Sequence, residues 1–91
     1  MRIIIDRNKL THPGIILKED ILKKMNITVT DGANRLGISR KLLSLIVNGK
    51  ARISAELALK IESAFAEPSA EQWLRMQSAY DLYHARLKLI T

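Results

Sequence analysis

LGISRKLLSLIVNGK, residues 36–50, decides how this chain folds. Gly37 permits a sharp turn, because a left-handed backbone is cheap only for glycine. Ser39 can accept a hydrogen bond from a free N–H at the start of a helix. Asn48-Gly49 closes that helix in a second turn, so the pattern predicts a helix over 40–47. At roughly 100° per residue, Arg40, Lys41, Ser44 and Asn48 fall in one arc about 100° wide. Leu42, Leu43, Ile46 and Val47 fall in the opposite arc. One face is therefore apolar and anchored, the other polar and outward. Leu45 alone sits with Lys41 on the polar side.

The preceding residues extend the reading. Thr28-Val29-Thr30-Asp31 has the outline of a capping box and predicts a helix over 29–36 that stops at Gly37. Gly32 within it costs up to roughly 1 kcal/mol against Ala unless it permits a close helix crossing. Ala33 is small where the next helix must cross, Ile38 can plug the space between the two helices, and Leu43 and Ile46 can anchor the second from below. Those features at that spacing predict a helix-turn-helix. Pro13 suits the first position of a helix over 13–25, buried through Leu17, Ile21 and Met25 with Leu22 beside them. Ser54 caps a helix over 55–66 with Leu57, Ala58, Ile61 and Phe65 inward, and Pro68 stops it. Ser69-Ala70-Glu71-Gln72 is a full capping box for a last helix over 70–88. The fold class expected is all-α, five helices, with a domain over 12–91 preceded by an arm over 1–11. Within the arm, Ile3-Ile4-Ile5 is β-prone and suits a strand or an extra contact for a dimer or other partner.

Ninety-one residues, 47% of them hydrophobic, make one small domain with enough apolar surface for a core. Cysteine is absent, which excludes disulfides and thiolate metal sites and suits a cytoplasmic setting. No apolar run is long enough to span a membrane, and the charged amino-terminal stretch does not suit a signal peptide. The net charge is +6, and its placement matters more than its total. Between Gly32 and Ala55 stand Arg35, Arg40, Lys41, Lys50 and Arg52 with no Asp or Glu among them. A local excess of cation is the footprint of a phosphate binder. His12 and His84 are the only histidines, neither flanked by an acidic or metal-ligand pattern. His12 is explained by helix capping. Catalysis, cofactors and metals are not expected.

The motifs His12-Pro13-Gly14, LGISRKLLSLIVNGKARIS (36–54), Ala58-Leu59-Lys60 and Trp73-Leu74-Arg75-Met76-Gln77-Ser78-Ala79-Tyr80-Asp81-Leu82 together resemble HigA-type (VapI-like) antitoxins of the lambda-repressor-like, or XRE, helix-turn-helix superfamily. They span roughly residues 12–86. The resemblance implies a five-helix lambda-repressor-like DNA-binding domain. It also implies a homodimeric antitoxin that represses its own operon and neutralises an adjacent mRNA-cleaving HigB/RelE-like toxin. Two positions depart from the family pattern: Val29 stands where many relatives carry Gln, and Leu45 where many carry Arg. Leu45 can touch a thymine methyl or be covered by a neighbouring helix.

The side-chain chemistry names a candidate interface with double-stranded operator DNA. Arg40 can pair with guanine O6 and N7, and Asn48 with adenine N6 and N7. Lys41, Ser39 and Ser44 offer further donors, and Lys50 and Arg52 suit phosphates. Thr28 and Thr30 mark a helix amino end where free N–H groups and the dipole favour a phosphate. In the last helix Trp73, Gln77 and Tyr80 share a face with His84. Trp73 and Tyr80 can complete the core, part of this face with Leu82, Tyr83 and Leu87 can form a dimer contact, and both readings can hold for different residues. Asp81 is expected to pair with Arg75 or a backbone group. Two rival functions stand beside the antitoxin: a helix-turn-helix regulator without a toxin, and a toxin-binding module with little DNA binding.

Overall fold

In a computed structural model, which describes residues 11–90, the chain is all-α. Helix α1 starts as an α-helical turn, Pro13–Ile16, and continues as a π-helical stretch, Leu17–Leu22. It is followed by α2 (Val29–Leu36), α3 (Arg40–Val47), α4 (Ala55–Phe65) and α5 (Ala70–Ile90). The expected arm over 1–11, with its Ile3-Ile4-Ile5, lies almost wholly outside the described residues.

Local chemistry sets each boundary. The Thr28 hydroxyl accepts from the Asp31 N–H at 3.1 Å, that of Ser39 from Leu42 at 3.0 Å, and that of Ser54 from Leu57 at 3.2 Å. Gly37 and Gly49 adopt φ of 68° and 73°, in the left-handed region. At each, the two amides at the turn bond back to carbonyls of the finished helix: Gly37 to Asn34 and Ile38 to Ala33, then Gly49 to Ile46 and Lys50 to Leu45. That pattern satisfies carbonyls that a helix end leaves bare. Asn26, at φ 59°, closes α1 by the same bonds, to Lys23 and from Ile27 to Leu22. At the start of α5 only the Ser69 half of the expected box is made, accepting from Gln72 at 3.2 Å; the Glu62 carboxylate of α4 accepts from Ala70 at 2.8 Å.

The π-helical winding changes which residues of α1 are buried. Lys23 N–H bonds to Lys18 O, five residues back, so Leu17 and Leu22 stack inward with Ile21 between them. The winding ends before Met25, which is 51% exposed at the turn, contrary to the every-fourth-residue expectation. Gly32 is buried between Leu22 and Leu43, whose methyls would lie 3.2 and 3.1 Å from an added Cβ, so it does permit a close crossing.

The core gathers Leu17, Leu22, Ala33, Leu36, Leu43, Ile46, Ile53, Ala58, Ile61, Trp73 and Met76 from all five helices and the α3–α4 loop, with Ile38, Val29 and Phe65 packed against it. Trp73, fully buried, is its largest member. Leu42 was expected to hold α3 down, but it is 39% exposed. It lies at the edge of the apolar arc, where α4 leaves a groove rather than a seal.

At Gly14 the backbone of α1 comes directly against α3. A Cβ on Gly14 would stand 1.8 Å from the carbonyl oxygen of Ile46. His12 Nδ1 accepts from the Gly14 N–H at 2.9 Å, which caps α1, and the ring meets Tyr80 of α5 edge-on at 4.9 Å between centroids. Burial lowers the His12 pKa below its ordinary 6.5, and the Asp81 charge pulls weakly the other way.

Gly14→Ala should destabilise the fold by about 3 kcal/mol, because backbone must move to admit a methyl. Gly37→Ala meets no atom within 4 Å and should cost only the left-handed backbone, about 1–2 kcal/mol. Urea midpoints of the two variants check the order. A second expectation concerns pH. The folded state holds His12 neutral, and protonation would spend the nitrogen that caps Gly14. As pH falls below 6.5 the unfolded chain binds the proton first, so stability is full above that value and declines until the lower folded pKa is passed. His12→Asn keeps a capping side chain and should flatten the dependence as pH falls below 6.5, read from urea midpoints on either side of that value.

Candidate nucleic-acid interface

The amino ends of α2 and α3 lie side by side. Arg40, the first residue of α3, donates from Nε to the Thr30 hydroxyl at 3.0 Å. Thr28, Thr30, Ser39, Arg40 and Lys41 are all exposed there. Two helix dipoles converge on the same patch, each with N–H groups that its cap leaves free. A cation in the first turn loses a few tenths of a kcal/mol to the dipole. Arg40 and Lys41 accept that cost without a carboxylate: among the described residues neither makes an ion pair.

Further along α3, Ser44 is half-buried and Asn48 exposed. The Asn48 side chain donates from Nδ2 to the Ser44 carbonyl at 2.7 Å, so part of its amide is spent on closing the helix. Its Oδ1 and second N–H make no hydrogen bond among the described residues. Lys50 is exposed just past the turn. Leu45 is 37% exposed, so part of its side chain is open to solvent. Val29 packs against the core, so its side chain is a packing group. Arg35, exposed in the last turn of α2, joins Arg40, Lys41 and Lys50 as a cation without an ion pair among the described residues. The acid-free window signalled it, though the helix pattern did not single it out.

Arg52 is placed otherwise. It was expected to face phosphate, but it donates from Nη2 to Asp81 Oδ2 of α5 at 2.6 Å. Gln77 of α5 joins the same cluster. Its Oε1 accepts from the Ile53 N–H at 2.7 Å, and its Nε2 donates to Asp81 Oδ1 at 3.0 Å. Asp81 is thus partnered by Arg52 and Gln77, and not by Arg75. Partial burial pushes the Asp81 carboxyl up, but the bonds from Arg52 and Gln77 and the Arg52 charge outweigh it and hold it below the usual carboxylate range. Magnitudes rank the parts. The exposed ion pair contributes about 0–1 kcal/mol. Losing Gln77 would bury an unsatisfied Ile53 N–H, at about 1–3 kcal/mol. Gln77 therefore anchors the loop, and the ion pair trims it.

The face assigned to a dimer divides in two. Trp73 and Gln77 are 0% and 1% exposed within their own protomer, so neither can form a contact with another. Tyr80 is half-buried between His12 and His84, with centroids 4.9 and 4.3 Å away. Beyond it, Ala79, Leu82, Tyr83, Arg86 and Leu87 line an apolar groove of about 360 Å³. Their spacing, three or four apart, places them on one stripe of α5. Among the described residues no group of His, Asp or Glu could hold a metal ion, and no helix is long and apolar enough to cross a membrane.

Known proteins resemble this chain in sequence and fold. Residues 18–72 match the helix-turn-helix family HTH_3. Virulence-associated protein A of Dichelobacter nodosus is 45% identical over 71 residues, 78% of this chain and 70% of that protein. Antitoxin HigA-1 of Vibrio cholerae is 34% identical over 73 residues, 80% of this chain and 68% of that one. The structure of Pseudomonas aeruginosa antitoxin HigA with the higBA promoter superposes with a TM-score of 0.78 at 32% identity, covering 88% of this chain and 89% of that one.

Proposed function

The chain belongs to the helix-turn-helix family HTH_3, and from that membership we propose that it is the antitoxin of a toxin–antitoxin module and the repressor of its own promoter. The observation that carries the DNA-binding half is the paired amino ends of α2 and α3, which present Thr30, Arg40 and Lys41 with no carboxylate bound to them. Arg40 and Asn48 read base edges in the major groove, Ser44 assists, and Thr28, Ser39, Lys41 and Lys50 hold phosphates. Arg52 serves phosphate only by sharing its guanidinium with Asp81, so its part is the smallest. The antitoxin half is supported by relatives named as antitoxins, and the partner it implies is a HigB-like, mRNA-cleaving toxin. A protein that meets promoter DNA and such a toxin works in the cytoplasm. Neither task requires a catalytic residue of its own.

Two copies joined through the outer part of α5, at Leu82, Tyr83 and Leu87, would set two α3 helices into successive major grooves about 34–36 Å apart. The groove on α5 supports this, since its stripe of apolar residues suits a second helix. Leu82, 48% exposed, is the residue on which the contact is best tested.

Leu82→Glu should turn a dimer into a monomer in sedimentation velocity and weaken promoter binding while helicity is kept; a variant that stays dimeric removes this contact. Affinity for promoter DNA should fall by on the order of a thousandfold between about 50 and 200 mM salt, as several phosphate contacts demand. Salt-insensitive binding, or none, favours a toxin-binding module with little DNA binding. The double variant Arg40→Ala, Lys41→Ala should abolish repression in a promoter reporter and still rescue growth against the toxin. Loss of both would mean that the two surfaces overlap.

A further inference from the structure

Arg40 is held by a residue of another helix. Its Nε bonds to the Thr30 hydroxyl across ten positions of sequence, at 3.0 Å, with both side chains exposed. Solvent could satisfy either group, so neither needs the other for burial. Asp31 stands next to Thr30, yet it makes no ion pair with Arg40. The guanidinium is therefore fixed by a neutral acceptor that leaves its charge uncompensated.

The chemistry of that choice is specific. A guanidinium offers two forks: a side fork of Nε and one Nη, and an end fork of Nη1 and Nη2. Thr30 occupies Nε, which removes the side fork and leaves the end fork. Two parallel donors at that spacing match O6 and N7 of guanine in the major groove. A phosphate would accept a guanidinium in many orientations; a base edge demands one. Thr30 is also a stiff support, because its branched Cβ limits χ1. Its own hydroxyl hydrogen stays available to donate to a phosphate oxygen, so one residue can meet the backbone and aim its neighbour.

We propose that Thr30 is a specificity-determining residue, which acts by orienting the Arg40 guanidinium so that its end fork reads one guanine in each half-site. The inference rests on the DNA-binding function proposed above. Thr30 acts through Arg40 and is a positioning residue for base recognition.

The test uses the full chain and a duplex selected by it from a randomised DNA library. Dissociation constants are measured by fluorescence anisotropy for that duplex and for every single base-pair change in one half-site. The proteins compared are the unaltered chain, Thr30→Val, Thr30→Ser and Arg40→Ala. The unaltered chain should prefer guanine at one position by roughly 5- to 150-fold over other bases. Arg40→Ala should abolish that preference. Thr30→Val, nearly isosteric, should reduce it by about 3- to 10-fold and leave preferences at other positions in place. Thr30→Ser, which keeps the hydroxyl but not the branched Cβ, should restore most of it. If Thr30→Val weakens binding equally for every duplex, Thr30 is a phosphate contact alone and the inference fails. It also fails if Thr30→Val keeps the full guanine preference that Arg40→Ala loses. Should Arg40→Ala keep every preference, Arg40 reads no base and that part of the proposed function falls with the inference. Failure of the library to enrich any duplex would overturn the DNA-binding function itself.

Discussion

The position of α3 depends on one close approach, the backbone of Gly14 against the carbonyl of Ile46. No side chain fits between them, so α1 grips the carboxyl end of α3 at backbone distance. The grip is reinforced around the same turn. His12 caps α1 and lies under Gly49, where a Cβ would sit 3.5 Å from that of His12. Gln77, buried in α5, accepts the Ile53 N–H from the loop beyond. A helix of eight residues has little stability of its own. Held at its far end by α1 and, through the loop that follows, by α5, it can leave its amino end and one face to water.

That division explains the distribution of charge. Cations at the carboxyl side of α3 include one with a partner, Arg52 with Asp81. At the amino ends of α2 and α3, Arg40 meets only a hydroxyl, and the local fields of two helix dipoles favour an anion. The fold secures the loop after α3 with a buried amide bond, and leaves the cations at the amino ends of α2 and α3 exposed and without an ion pair among the described residues.

Helix α5 serves two ends with one continuous element. Its first half supplies Ala70, Trp73, Met76 and Gln77 to the core. From Leu82 to Ile90 every residue is exposed or half-exposed, and Leu82, Tyr83 and Leu87 lie outside the buried core cluster. A domain of this size buries only about 60–65% of its unfolded surface. An interface on that stripe would add apolar burial to a fold that has little to spare, and Tyr80 with His12 connects it to the turn that holds α3.

Much of this was legible in the residues. Thr28, Ser39, Ser54 and Ser69 cap helices, and Gly37 and Gly49 turn left-handed, because these effects act over three or four neighbours. The helix-turn-helix followed from them and from the small Ala33 and apolar Leu43 and Ile46. Other features needed the tertiary structure. A helical period says which residues share a face, but not whether that face meets core or solvent. Trp73 and Gln77 therefore looked as fit for a dimer as for a core, and Leu42 looked buried when it is not. The π-helical winding of α1 carried no local signal and moved Met25 out to water. The partners that matter most are also the most distant in sequence: Arg52 with Asp81, 29 residues apart, Ile53 with Gln77, 24 apart, and Arg40 with Thr30, 10 apart across a turn. The sequence by itself determined the helices and the polar face. Only packing decided which charges were neutralised and which were left exposed, because a side chain's partner depends on where three helices cross, and no local pattern encodes that crossing.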